Sequence, residues 1–117
     1  LSDIGDFIRT AANTGAEDDE NLDNVRLNMP IFKAYTKGYL ETATFLTPLE
    51  KTLLPFGGRL LTYMQTVRFL TDYINGDVYY KTKSAEHNLQ RAKAQFKLLQ
   101  SIEAHLDEMN AFVAACK

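Results

Sequence analysis

From Ser84 to the C-terminal end, apolar side chains recur every three or four residues: Leu89, Ala92, Phe96, Leu99, Ile102, Leu106, Met109 and Val113. Only a helix brings such a set onto one face. A helix of roughly 30 residues spans on the order of 45 Å at 1.5 Å per residue, so it must run along most of a domain. Strand signals are nearly absent elsewhere. Val25-Arg26-Leu27-Asn28 alternates, but four residues are too few to found a sheet.

The rest of the chain supplies partners for that helix. Ile4, Phe7, Ile8, Ala11 and Ala12 predict a first helix over about 4–13, with Ser2 or Asp3 as its cap. Glu17 to Asn24 is acidic and rich in turn formers, and is expected to be an exposed loop. Pro30 suits the first turn of a second helix, whose buried stripe is expected to be Ile31, Phe32, Tyr35, Tyr39, Leu40 and Ala43. Thr47-Pro48-Leu49-Glu50 has the hydroxyl, proline and glutamate of a capping box and starts a third. Pro55 and Gly57-Gly58 predict an interruption. A long helix is then expected to about Asn75, burying Leu60, Tyr63, Met64, Val67, Leu70 and Ile74 and stopped by Asn75-Gly76. Short gaps favour antiparallel neighbours, so the expected fold is an all-α bundle of four to five helices forming one domain over residues 1–117.

Thirteen basic against fifteen acidic residues give a net charge of −2. That balance argues against a nucleic-acid platform, which needs a cationic face. No apolar run approaches the roughly 18 residues of a membrane span. The only cysteine, Cys116, cannot form an internal disulfide, and a reduced, cytoplasmic setting fits. The chain opens on Leu1 inside an amphipathic element, without a basic flank or signal-like segment, and is expected to be part of something longer.

Several patterns suggest chemistry and then lack its other parts. His105-Leu106-Asp107 matches the H-x-D of a kinase catalytic loop, but the required asparagine position is Phe112, within a helix. Gly57-Gly58 has neither the strand nor the Lys-Ser/Thr pair of a phosphate loop. His87 and His105 are not at ligand spacing, and Glu17–Glu20 lacks a calcium-loop pattern. Arg68 and Tyr79 are the more suggestive pair, since a guanidinium beside an aromatic face suits a polyol or sugar ring. The plainer alternative is an Arg68–Asp72 ion pair with Tyr79 plugging the loop.

Two segments together resemble a family. Asp3-Ile4-Gly5-Asp6-Phe7-Ile8-Arg9-Thr10-Ala11-Ala12-Asn13-Thr14 is similar to the stretch after the metal-binding aspartate in aminoglycoside phosphotransferase and choline kinase-like enzymes. Arg68 to Tyr80, followed by His87-Asn88-Leu89 and Arg91, resembles the C-terminal helices of their N-acetylhexosamine 1-kinase branch. The resemblance implies the C-terminal helical subdomain of a kinase-like large lobe, in an enzyme that moves the γ-phosphate of ATP, with Mg²⁺, to a sugar hydroxyl. It implies that Arg68 and Tyr79 contact the sugar, that Asp6 and Arg9 brace the metal-binding segment, and that Asp72 supports the site. The catalytic and metal-binding aspartates would precede Leu1, in the missing N-terminal part with which this chain would partner. The chain alone is therefore expected to be inactive and to hold neither ATP nor Mg²⁺. Some relatives of this branch carry the label mucin desulfatase, yet Cys116 stands before Lys117, outside any C-x-P-x-R setting. Two alternatives to the kinase reading are an interaction or dimerisation module using the last helix as a seam, and a small binding protein with a pocket among Tyr63, Tyr73 and Tyr79.

Overall fold

A computed structural model describes residues 2–42 and 46–116, with side chains from Asp6 onward. The expected cap at Ser2 or Asp3, the Ile4 side chain and Ala43 lie outside what is described. Among the described residues six α-helices follow one another: α1 (Ser2–Thr10), α2 (Met29–Thr42), α3 (Pro48–Thr52), α4 (Leu54–Ile74), α5 (His87–Ala104) and α6 (Leu106–Ala115). The fold is an all-α bundle, and its described residues contain no helix long and apolar enough to cross a membrane.

Local chemistry sets most boundaries. The capping box forms in full: Thr47 Oγ1 accepts from the Glu50 amide at 3.1 Å, and Glu50 accepts from the Thr47 amide at 3.0 Å. Pro30 sits in the first turn of α2. Asn75-Gly76 ends α4 in a Schellman motif: Gly76 takes φ +94°, its amide reaches the Tyr73 carbonyl at 3.2 Å, and the Asp77 amide reaches that of Asp72 at 2.7 Å. The Val25–Asn28 segment forms no sheet; Leu27 makes one isolated antiparallel bridge to Asn13, while Val25 and Leu27 are buried.

Three expectations are corrected. The long last helix is divided at His105, where the chain tightens: the His105 amide reaches both Ser101 and Ile102 carbonyls, and its ring hydrogen-bonds the Ser101 carbonyl at 2.8 Å. It also begins at His87 rather than from a Ser84 cap. Second, Pro55 and the glycine pair do not interrupt a helix but lie within the start of α4. Pro55 has no N–H to lose there. Gly58 is where α1 crosses: a Cβ on it would lie 2.7 Å from Ile8 Cγ2.

The third correction concerns which face of α4 is buried. Leu60, Tyr63, Met64, Val67, Leu70 and Ile74 are all exposed. The buried side is Leu54, Pro55, Gly58, Thr62, Phe69 and Asp72, closed by α1 and α5. Small residues permit the close approach that larger ones would prevent. In α2 likewise, Phe32 and Leu40 are buried as expected, but Thr36 joins them while Ile31 and Tyr35 face solvent. The main core gathers Ile8, Ala12, Val25, Leu27, Phe32, Leu54, Leu98, Ile102, Met109 and Val113. Ala92, Leu99, Ile102, Met109 and Val113 are therefore interior. Of the seam envisaged on the last helix these five lie inside the protein, while Phe96 is 51% exposed.

Candidate functional site

Asp72 organises the C-terminal end of α4. Its side chain is 5% exposed, yet among the described residues no basic side chain pairs with it. Instead Oδ1 accepts from the Tyr79 amide at 2.8 Å, and Oδ2 from the Tyr80 amide at 3.0 Å and from Asn88 Nδ2 at 2.7 Å. The carboxylate thus satisfies two backbone donors of the connector between α4 and α5 and fastens that connector to the first turn of α5. Burial works to raise its pKa, but the Tyr80, Tyr79 and Asn88 donors outweigh it and hold the carboxyl below the ordinary aspartate value.

Asn88 is fully buried and extends the network. Its Nδ2 also donates to Asp77 Oδ1 at 3.0 Å, and its Oδ1 accepts from Arg91 Nη1 at 2.9 Å. Asp77 adopts φ +62°, a left-handed conformation that aspartate tolerates better than most residues. Arg91 lies over the Phe69 ring at 5.4 Å, and Phe69 packs against Tyr80 at 4.9 Å. Tyr80 in turn meets Tyr79 edge to face at 4.9 Å. Every link in this chain orients the next.

The result is an open depression of about 550 Å³, flanked by Arg68 and Thr71 of α4, by the capping Asn75 and by Val78, Tyr79 and Tyr80 of the connector. Arg68 and Tyr79, paired in the sequence reading, stand at this same depression. The alternative arrangement is absent. Arg68 and Asp72 form no ion pair, because Asp72 faces the connector amides. Tyr79 is no plug, since it is 82% exposed. Tyr63, which the alternative of a three-tyrosine pocket groups with Tyr79, lines a separate apolar groove with Leu70 and Phe96.

Asp6 and Arg9 do meet. Arg9 Nε donates to Asp6 at 3.0 Å, while its Nη1 bonds Glu17 and reaches Gln95 Oε1 at 3.4 Å. Arg9 therefore fastens α1 to the acidic segment and to α5. That segment is less detached than its composition suggests: His87 Nδ1 accepts from the Lys83 amide at 3.2 Å, leaving Nε2 to donate to Asp18 at 2.7 Å, and Gln90 donates to the Asp19 carbonyl at 3.0 Å. The His87 bond is the main reason the Asp18 carboxyl sits below its usual range.

Arg68, Asp72 and Tyr79 lie together around the C-terminal end of α4, while Asn88, Arg91 and Phe69, which frame them, were missed by sequence reasoning. A polar residue in a helix's first turn reads as a cap. The available signal was its register, since Asn88 precedes Ala92, Gln95 and Leu99 on the buried side of α5. Among the described residues no group of three His, Cys, Asp or Glu side chains is placed to hold a metal ion. No protein-family model matches the chain.

Proposed function

We propose that this chain is the C-terminal, substrate-side helical part of an ATP-dependent phosphotransferase acting on a sugar hydroxyl, in particular an N-acetylhexosamine 1-kinase. The observation that supports this reading is the Asp72-anchored connector, which sets Tyr79 beside Arg68 at one open depression of about 550 Å³. That volume lies within the range of small-molecule sites. Arg68 offers N–H donors to a ring hydroxyl or an acetamido oxygen, and a tyrosine ring offers an apolar face to the sugar's C–H surface. Asp72 has its oxygens engaged by its own chain, so its role is to position Tyr79 rather than to bind or react.

On this reading ATP and Mg²⁺ are held by the preceding part of the parent protein, which supplies the charge stabilisation of phosphoryl transfer. The present residues bind and orient the acceptor, and alone transfer no phosphate. A cytoplasmic location, where ATP is available, belongs to the same proposal.

The test has two arms. Titrating an N-acetylhexosamine into the ¹⁵N-labelled chain should move the amide signals of Thr71, Asn75, Tyr79 and Tyr80, and Arg68→Ala should abolish the shifts. In the natural full-length product, Arg68→Ala should lower kcat/KM for sugar phosphorylation at least about tenfold, the effect of losing one charge-assisted hydrogen bond. An unchanged kcat/KM removes Arg68 from the site. A full-length product that transfers no phosphate from ATP to any hexosamine ends the proposal.

A further inference from the structure

The outward face of α4 carries Phe56, Leu60, Tyr63, Val67, Leu70 and Ile74, each between 42% and 72% exposed. A helix packed in a domain normally turns such residues inward, and an exposed apolar surface of this kind marks a place where something docks. The patch is not confined to the helix. It continues over Val78 and Tyr79 of the connector and over Phe96 of α5, and Ile74, Val78 and Tyr79 are more exposed than any other large apolar residue described. Exposure therefore peaks around the Arg68 depression. We infer that the face of α4 from Leu60 to Ile74 is the surface on which the preceding, ATP-holding part of the parent protein docks, and that the docked part closes the depression. The inference rests on the reading of the chain as the acceptor side of a phosphotransferase.

Place is the first argument. Val67 belongs both to the exposed face and to the wall of the depression, while Tyr63 and Leu70 line the apolar groove of about 400 Å³ beside Phe96 of α5. A single body lying along α4 thus reaches the groove and the depression together. Phosphoryl transfer needs the donor phosphorus within about 3–3.5 Å of the acceptor hydroxyl. With the acceptor held by Arg68 and Tyr79, whatever holds ATP must come up against the rim of the depression, and Val67 stands on that rim. A second copy of this chain on the same face would occupy the space from which ATP has to arrive, and would bring none.

Water exclusion is the second. The depression is walled by one helix, its cap and one connector. A sugar bound there alone would share the site with solvent, and water competes with its hydroxyl for the phosphoryl group. The missing walls have to come from outside these helices, because α1 and α5 are committed to the buried side of α4, at Leu54, Gly58, Thr62 and Phe69.

Charge sets the character of the docked surface. Between Phe56 and Ile74 the charged residues are Arg59, Arg68 and Asp72. Arg59 is engaged by Glu103 at 3.3 Å, Asp72 is buried in the connector network and Arg68 stands at the depression. On α5, Lys93 lines the groove and forms no ion pair among the described residues. The docked surface is therefore apolar over α4, and it either leaves the Lys93 ammonium in water or meets it with a carboxylate.

Cysteine labelling tests the docking. Leu60→Cys and Leu70→Cys on the exposed face, and Val67→Cys on the rim shared with the depression, are placed one at a time in the 117-residue chain and in the natural full-length product, with circular dichroism to confirm helicity. Modification by a maleimide is followed at each position by peptide mass spectrometry. All three should react freely in the 117-residue chain and at least tenfold more slowly in the full-length product. Equal rates in the two proteins overturn the inference. Slow, concentration-dependent labelling of the 117-residue chain overturns it as well, since the face would then belong to a second copy. Phosphorylation of an N-acetylhexosamine by the same full-length product separates this inference from the functional reading. An active enzyme whose cysteines react freely removes the docking and keeps the reading, whereas protected cysteines in a product that phosphorylates no hexosamine keep the docked face and end the kinase reading.

Discussion

A buried carboxylate without a cation is stable only where enough N–H groups point at it, and Asp72 meets that condition with two backbone amides and the Asn88 amide. The consequence for pH follows from the sign of its shift. Because the folded carboxyl ionises below the ordinary aspartate value, its contribution is complete at neutral pH and persists down to about pH 4, where the unfolded chain begins to bind protons. It is lost as the pH falls further, through the depressed folded value. Amide exchange of Tyr79 and Tyr80 should therefore show the connector fastened at neutral pH and released in acid; Asp72→Asn should release it at every pH. Exchange at these two amides that is the same in the variant would mean the carboxylate does not hold the loop. Asn88→Ala removes the donor shared by Asp72 and Asp77 and the acceptor of Arg91, and should cost about 2 kcal/mol, read as a lower urea midpoint at unchanged slope.

Among elements, α4 separates what periodicity reveals from what it hides. Its existence and end were legible, because Asn75-Gly76 is a local device that works in any context. Its orientation was not. The helix has a face of large apolar residues and a face of small or polar ones, Gly58, Thr62 and Asp72 with Phe69 among them, and hydrophobicity alone favours burying the first. Close packing reversed the choice, since α1 can approach only where a side chain is missing. The remaining boundaries divide the same way: the capping box at Thr47 depends on four consecutive residues, whereas the break at His105 depends on one ring finding a carbonyl. Two glycines in helices make the packing argument measurable. At Gly58 an added methyl would press on Ile8, which is itself fully buried, so Gly58→Ala should destabilise by about 1–2 kcal/mol even after its gain in helix propensity. At Gly38, in the exposed middle of α2, nothing lies within 4 Å, and Gly38→Ala should stabilise by about 0.5–1 kcal/mol. Thermal denaturation of the two variants should move the midpoint in opposite directions. A rise in both would show that α1 can shift without cost.

At the scale of the molecule, the chain is longer than a sphere of its mass. Its extents are 47 × 26 × 19 Å and its radius of gyration is 15.0 Å, against about 13 Å expected for a compact domain of this length. The elongation reflects two clusters placed end to end. The main core joins α1, α2, α5, α6 and Leu54, while Phe69, Tyr80 and Arg91 form a smaller group around the Asp72–Asn88 network. Only α4 and α5 run through both. Loss of a side chain from one cluster should therefore not be felt equally in the other, because cooperative opening follows shared contacts. Leu98→Ala, in the main core, should cost about 2–5 kcal/mol and lower the protection of slowly exchanging amides throughout α5 and α6. Phe69→Ala should cost about 3–5 kcal/mol locally, taking the stacking partner of Tyr80 and the ring beneath Arg91. Its effect on exchange should concentrate over residues 67–80 and leave Ile102 and Met109 near their original protection. Equal loss across the chain would show one cooperative unit, and the Arg68–Tyr79 end would then be as rigid as the core. The graded outcome would instead give the depression its own stability, set by Asp72 and its partners, so that loosening the connector alters the Tyr79 side of the site without unfolding the helices that carry it.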